Sequence, residues 1–210
     1  MLSRWARTWD SKLLAPLMHM LARWHVTPNW LTVLSLMVVV ASGVLLMLGQ
    51  RVSAGLVFWL GVVLDGLDGE LARAIRDESR AGAFLDSICD HCGDFAVSLG
   101  LVVYVFNQGQ PFIVLLIFAT LFGSMLGSQI RSRAGMLGID TKDIGFFTRF
   151  ERALILGGGL LMDQILLAMA ALAVLNNFSA LQRLYFTWQA LRVREQAANP
   201  TTNKLFPPMR

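Results

Sequence analysis

The sequence predicts an all-α integral membrane protein, in which six transmembrane helices follow an amphipathic helix at the membrane interface. Of the 210 residues, 55% are hydrophobic and only 15% are charged, whereas a soluble domain carries about 25% charged residues. Several apolar stretches approach the ~20 residues with which a helix crosses the hydrocarbon layer. The net charge of +4 is then explained by basic residues that set the orientation in the membrane. We therefore expect the lipid bilayer as partner, and no nucleic acid.

The chain divides into three parts. Residues 1–26 mix basic residues with tryptophans and leucines, which is typical of an interfacial helix on the cytoplasmic leaflet. Residues 27–184 are expected to form the six-helix transmembrane domain that carries the function, and residues 185–210 a cytoplasmic tail. The clearest span is 31–49, which holds no charged residue, and further spans begin near residues 53, 82 and 112.

The number of spans depends on Asp163, which interrupts the last apolar region at 153–181. This region is either one long span or two shorter ones with Asp163 at the turn. With six spans and both termini in the cytoplasm, Arg51 is the only one of the 18 lysines and arginines that lies outside, as the positive-inside rule favours. A five-span chain would also leave the last basic residues outside. The sequence therefore predicts six spans, the fifth of them short, in the cytoplasmic (inner) membrane.

Four aspartates lie inside predicted spans, Asp65 and Asp68 in the second, and Asp86 and Asp90 in the third. Because each costs about 2.5–3.5 kcal/mol on insertion scales, intramembrane carboxylates indicate a functional site. Their spacing places each pair on one face of its helix. The short connection makes the two helices antiparallel neighbours, and a rise of ~1.5 Å per residue puts all four carboxylates at a similar depth.

Four carboxylates with only Arg73 nearby require protons or cations to neutralise them in a low-dielectric site. A site made only of carboxylates favours hard divalent ions, and we expect two Mg²⁺ or Mn²⁺ ions. Such ions complete their coordination shells with phosphate oxygens, which indicates a polyphosphate substrate. Asp94, one turn beyond Asp90, is expected to be a hydrogen-bond partner.

One motif joins the aspartates to the small residues between them, and here it reads Asp65-x-x-Asp68-Gly69-x-x-Ala72-Arg73-x8-Gly82-x-x-x-Asp86-x-x-x-Asp90. It resembles the signature of the CDP-alcohol phosphotransferases, also called CDP-alcohol phosphatidyltransferases, which are integral membrane enzymes of phospholipid synthesis. Residues 25–29, 131–134 and 149–152 are also similar to segments of that family. The resemblance covers the chain from about residue 25 to residue 183.

The resemblance implies a role for each motif residue. Asp65, Asp68 and Asp86 would ligate the two ions, while Asp90 would touch the metal site and act as general base. The CDP group would be bound by Asp68, Gly69, Ala72, Arg73 and Gly82. From the residues alone, the small side chains could equally serve helix packing, and Arg73 could extend to the membrane surface. The implied reaction moves a substituted phosphate from a CDP-linked lipid donor, such as CDP-diacylglycerol, to a small polar alcohol and releases CMP. The resemblance also implies a homodimer.

The acceptor is indicated by basic residues that flank the cytoplasmic mouth of the predicted bundle. These are Arg131, Arg133, Lys142, Arg149 and Arg152. Arginine and lysine bind phosphate groups through charge-assisted hydrogen bonds, which favours glycerol phosphate or inositol phosphate as acceptor. The same residues also satisfy membrane orientation alone.

Two other functions use intramembrane aspartates. A divalent-cation or proton-coupled transporter would use them as an ion pathway. The aspartate motif occurs only once, with no counterpart in the C-terminal half, which does not favour the repeated architecture of many transporters. A membrane prenyltransferase would be expected to have more spans than this chain can form.

Overall fold

A computed structural model describes residues 20–75 other than 22 and 25, residues 79–140, and residues 147–198. Within these ranges the chain forms the six helices given next and no strand, which confirms the all-α prediction. The helices are α1 (Pro28–Met47), α2 (Arg51–Ile75), α3 (Arg80–Asn107), α4 (Ile113–Met136), α5 (Arg149–Leu161) and α6 (Ile165–Ala198).

Five of the helices, all except α5, are long and apolar enough to cross a membrane. Their outer surfaces are apolar; on α4, for example, Leu115, Phe118 and Phe122 are more than half exposed. So large an exposed apolar surface fits a lipid environment and not water. The 13 residues of α5 extend only about 20 Å, less than the ~30 Å hydrocarbon layer. A multi-pass membrane protein is thereby confirmed, while the sixth crossing stays a prediction.

The two predicted cytoplasmic segments are only partly described. The interfacial helix over residues 1–26 falls largely on residues 1–19, which lie outside the described residues. Of the tail, residues 199–210 also lie outside them, whereas residues 185–198 continue α6 as one helix.

The helices pack as a closed ring. Helix α1 packs against α2 and α3, α2 against α5, α5 against α6, α6 against α4, and α4 against α3. Apolar side chains fill the ring at one end, where Leu101, Ile117, Leu160 and Met169 are at most 2% exposed. The other end of the ring is therefore left for polar side chains from several helices.

The apolar end carries the turns between α1 and α2, α3 and α4, and α5 and α6. Gly49 (φ 77), Gly109 (φ 72) and Asp163 (φ 60) adopt the left-handed conformation there, which confirms Asp163 at the α5–α6 turn. Nε of Arg51 lies 3.0 Å from Oδ1 of Asp163, and Arg51 also donates a hydrogen bond to the carbonyl of Leu160. The one basic residue that six spans would place outside thus has an acidic partner.

Close helix packing at α1 and α3 depends on two facing glycines. A Cβ atom on Gly100 would overlap the carbonyl oxygen of Gly43, and one on Gly43 would lie 2.6 Å from the carbonyl oxygen of Ala96. Neither helix can carry a side chain at this crossing without moving apart. Since α3 carries two of the predicted metal ligands, this crossing helps to set their position.

We expect Gly100→Ala to destabilise the protein by about 1–3 kcal/mol, the usual cost of overpacking a tight contact. Thermal unfolding of the purified protein in detergent measures this as a lower midpoint. Gly158→Ala is the matched control, because a Cβ there would meet nothing within 4 Å and alanine is the better helix former. Equal midpoints for the two variants would contradict the close packing.

Candidate active site

Three of the four predicted aspartates converge at the polar end of the ring. One carboxylate oxygen from each of Asp65, Asp68 and Asp86 lies within 4.8 Å of the others. Asp65 and Asp68 are one turn apart on α2, and Asp86 faces them from α3, which begins shortly after α2 ends. Ser79 caps the start of α3 by accepting a hydrogen bond of 2.9 Å from the Gly82 amide. Both helices pack against α1 and not closely against each other, so the carboxylates converge although α2 and α3 are not the packed neighbours that the spacing predicted.

Asp90 lies beside this group and is linked to it by Arg149. Nη2 of Arg149 forms an ion pair with Oδ1 of Asp90 and lies 3.0 Å from Oδ1 of Asp65. Nη1 of the same guanidinium lies 4.0 Å from Oδ1 of Asp86. A single arginine from α5 therefore contacts three of the four aspartates and offsets part of their mutual repulsion.

Arg149, and not Arg73 as predicted from the sequence, is the arginine beside the aspartates. Arg73 is paired with Glu70 through a 2.7 Å contact, and its side chain is 55% exposed. The expectation that Arg73 is the cation beside the aspartates was therefore wrong for the described residues. Arg73 does not pair with the aspartates because Glu70, three residues earlier on the same helix, forms an ion pair with its guanidinium.

Asp68 is buried, and its partner comes from α1. Only 7% of Asp68 is exposed, and the hydroxyl of Thr32 donates a 2.5 Å hydrogen bond to Oδ2 of Asp68. Such a donor holds the carboxylate in one orientation and stabilises its charge. Sequence reasoning missed Thr32, since a threonine in an apolar span carries no signal of its own.

The predicted CDP-binding residues line the same end of α2 and α3. A Cβ on Gly69 would meet only the guanidinium of Arg73, at 3.7 Å, so helix packing does not require glycine there. A Cβ on Gly82 would lie 3.0 Å from the Ser79 hydroxyl and 3.2 Å from Oδ1 of Asn29. Ala72 is half-buried on α2. Gly69 thus leaves room for a ligand to approach the backbone.

A polar cavity of about 510 Å³ opens beside the aspartates. Three of the five basic residues that were predicted to bind the acceptor line this cavity. A fourth arginine, from α6, also lines it; in the sequence it was used only to predict the membrane orientation. These four are Arg131, Arg149, Arg152 and Arg183. Arg133 is exposed and does not line the cavity, and Lys142 lies outside the described residues.

Hydroxyl and amide groups complete the wall of this cavity. They come from α4 and α6: Ser124, Ser128, Ser132, Asn176 and Ser179. The Ser179 hydroxyl is buried and has no hydrogen-bond partner among the described residues. Because a buried hydroxyl without a partner is costly, this group is available to a bound molecule. Sequence reasoning missed this wall, which forms only when two distant helices meet.

The first turn of α5 fixes where its arginines lie. The Thr148 hydroxyl accepts a 3.4 Å hydrogen bond from the Glu151 amide, and the Glu151 carboxylate accepts one of 2.7 Å from the Thr148 amide. This reciprocal capping box starts the helix at Arg149. The pattern Thr-x-x-Glu is a sequence signal that could have located this helix start.

The residues present fit divalent metal ions. The three converging groups are all carboxylates, which are the ligands that Mg²⁺ and Mn²⁺ prefer. They come from two helices that both pack against α1, and Asp68 has the outer hydrogen bond that usually orients a metal ligand. Comparison with known proteins adds a family to this geometry, because the family model for CDP-alcohol phosphatidyltransferase matches residues 25–176.

The chain belongs to the CDP-alcohol phosphatidyltransferase family. Archaetidylinositol phosphate synthase of Pyrococcus horikoshii is 32% identical over 165 residues, which are 79% of this chain and 85% of that protein. A crystal structure of phosphatidylinositol phosphate synthase from Mycobacterium tuberculosis with CDP-DAG bound has a TM-score of 0.77 and 30% identity, and the match covers 84% of this chain and 94% of that one.

A second crystal structure of the Mycobacterium tuberculosis enzyme, in complex with manganese and citrate, has a TM-score of 0.74 at 30% identity. The match covers 82% of this chain and 88% of the Mycobacterium tuberculosis chain. These likenesses confirm the predicted enzyme class, a metal-dependent membrane phosphatidyltransferase of phospholipid synthesis, and leave the transporter alternative without support.

We expect Thr32→Val to raise the Mg²⁺ or Mn²⁺ concentration needed for half-maximal activity by about 10–100-fold, as loss of an outer hydrogen bond to a metal ligand usually does. A metal titration of CMP release measures this. Ser42→Ala is the matched control on the same helix, because the Ser42 hydroxyl bonds the Ala54 carbonyl and no aspartate. A metal dependence unchanged in Thr32→Val would contradict the role of this hydrogen bond.

Proposed function

We propose that this enzyme transfers a phosphatidyl group from CDP-diacylglycerol to inositol phosphate, with release of CMP. The observation that carries the proposal is the arginine-lined cavity that opens directly beside the aspartate cluster. Both compared relatives are named for inositol phosphate products, and one was crystallised with CDP-DAG.

The donor side of the proposal rests on α2 and α3. Asp65, Asp68 and Asp86 would hold the divalent ions, with Asp90 at the edge of the site. Bound ions would neutralise the pyrophosphate and stabilise the departing CMP. Gly69 leaves space beside them for the CDP group, together with Asp68, Ala72, Arg73 and Gly82.

The chemical step is assigned to Asp90. A carboxylate oxygen of Asp90 would take the proton of the acceptor hydroxyl, whose oxygen forms a bond to the β-phosphorus while the bond from that phosphorus to CMP breaks. Asp90 lines the polar cavity and shares the Arg149 guanidinium with Asp65 of the cluster, so it would lie between donor and acceptor. The ion pair with Arg149 orients the carboxylate for this transfer.

The acceptor side rests on charge and on hydroxyl groups. Arg131, Arg152 and Arg183, with Arg149, would bind the acceptor phosphate. The serines and the asparagine of the wall offer hydrogen bonds to several hydroxyls, which favours a cyclic polyol phosphate over glycerol phosphate. The cavity volume of about 510 Å³ is within the usual range for small-molecule sites.

The orientation of the enzyme is part of the proposal. Six crossings, with both termini and the active site in the cytoplasm, place the arginine-lined cavity where soluble acceptors are found. Arg51 would be the one basic residue outside, and its ion pair with Asp163 lowers the cost of that placement. The homodimer implied by the family resemblance would be tested by light scattering in detergent.

The test of the function is a panel assay with purified protein, CDP-diacylglycerol and Mg²⁺ or Mn²⁺. CMP release is followed with inositol phosphate, glycerol phosphate, inositol and serine. We expect release with inositol phosphate. Release with glycerol phosphate alone would contradict the acceptor, and no release with any acceptor or other CDP-alcohol would contradict the reaction.

Two neighbouring arginines of α4 provide a matched test of the acceptor site. We expect Arg131→Gln to raise the KM for inositol phosphate by about 10–100-fold, since a charged hydrogen bond contributes about 1.5–3 kcal/mol. Arg133→Gln should leave this KM unchanged, because Arg133 does not line the cavity. Equal KM values for the two variants would remove Arg131 from the site.

We expect Asp90→Asn to lower CMP release by about 10²–10⁴-fold, the usual contribution of a general base. Donor binding should be largely retained, and the thermal shift that CDP-diacylglycerol causes in the presence of Mg²⁺ measures it. Full turnover in this variant would show that Asp90 is not the base.

A further inference from the structure

We propose that Asp94 is a positioning residue for the acceptor, which holds Arg152 so that its guanidinium faces the acceptor cavity. The inference rests on the proposed function, because it assumes that Arg152 binds the acceptor phosphate.

Asp94, Ser124 and Arg152 form a small network across three helices. Oδ2 of Asp94 on α3 accepts a 3.0 Å hydrogen bond from the Ser124 hydroxyl on α4, and it lies 3.7 Å from Nη1 of Arg152 on α5. Arg152 donates to the oxygen of Ser124 in turn. All three residues line the acceptor cavity, so the network is part of its wall.

This network lies parallel to the contact between Arg149 and Asp90. The two arginines are three residues apart on α5, and the two aspartates are four residues apart on α3, so each pair follows one helix face. The first contact is linked to the carboxylate cluster, because the Arg149 guanidinium also contacts Asp65 and Asp86. Asp94 instead contacts Arg152 and Ser124, so its partners belong to the wall of the acceptor cavity.

A second cavity gives the Arg152 side chain space to adopt other conformations unless it is held by Asp94. It has a volume of about 330 Å³, lies deeper in the ring and is lined mainly by apolar side chains such as Phe58 and Leu156. Asp94, Ser124 and Arg152 line this cavity as well as the acceptor cavity. An arginine side chain released from Asp94 has space on both sides, and holding it in one conformation lowers the entropy lost when the acceptor binds.

The sign of the expected effect separates positioning from plain electrostatics. The negative charge of Asp94 opposes an anionic acceptor, so removing it would by charge alone tighten acceptor binding. If Asp94 instead positions Arg152, removing it weakens acceptor binding although the cavity becomes more positive. A merely structural role would change stability and leave the ratio of the KM values for acceptor and donor unchanged.

The experiment measures the KM for inositol phosphate and for CDP-diacylglycerol with the full chain in lipid nanodiscs. We expect Asp94→Asn to raise the acceptor KM by about tenfold, a usual coupling between contacting residues, with the donor KM nearly unchanged. Ser124→Ala should give a smaller rise, and Asp94→Glu should restore part of the affinity. Asp163→Asn is the matched control, because it removes the carboxylate of another Arg–Asp pair far from the cavity and should leave both KM values unchanged.

A second readout separates this inference from the proposed function. The unfolding midpoint is measured with and without inositol phosphate, and we expect the acceptor to raise it less in Asp94→Asn than in the wild type. A wild type that releases no CMP contradicts the proposed function, and the thermal shifts then still decide the role of Asp94. An unchanged or lower acceptor KM in Asp94→Asn, or equal thermal shifts, overturns the inference. If Asp94→Asn does not fold, Asp94→Glu is measured in its place: a raised acceptor KM with an unchanged donor KM supports the inference, and an unchanged acceptor KM overturns it.

Discussion

Repulsion among carboxylates inside an apolar helix ring is the constraint on which the rest of this structure depends. One carboxylate oxygen from each of Asp65, Asp68 and Asp86 lies within 4.8 Å of the others, in a protein whose outer helix surfaces are apolar. Such a cluster is stable only when cations approach it. Among the described residues, one guanidinium contacts the cluster, that of Arg149, and the proposed divalent ions would supply the remaining charge. Divalent ions bound by this cluster would also bind a pyrophosphate, because such ions complete their coordination shells with phosphate oxygens.

Helix packing, a helix cap and an ion pair together position the charged groups of the site. Facing glycines let α1 and α3 approach closely, so α3 presents its aspartates toward α2. The short helix α5 begins at a capping box and extends Arg149 and Arg152 toward α3 across the ring interior. Its far end is tied to α2 by Arg51 and the α5–α6 turn. The proposed donor and acceptor sites would thus meet at the ion pairs between α3 and α5, as phosphoryl transfer requires the two substrates to be adjacent.

The part of the site that lies on one stretch of chain could be predicted from the sequence, because helical periodicity fixes which residues share a face. The aspartates of α2 and α3 and the turn at Asp163 are of this kind. Contacts between distant segments were not predictable in this way. Thr32 meets Asp68 from another helix, and Arg149 replaces Arg73 because the nearest cation in sequence is held by Glu70. The acceptor wall from α4 and α6 also depends on a packing that no local pattern specifies.

The proposed mechanism requires the aspartate cluster to bind metal ions. Anomalous diffraction from crystals of the wild-type protein grown with Mn²⁺ tests this, because the signal locates the ions without any assumption about the reaction. We expect two manganese ions bound by Asp65, Asp68 and Asp86, with Asp90 at the same site. Manganese bound elsewhere, with no anomalous peak at these carboxylates, would contradict it.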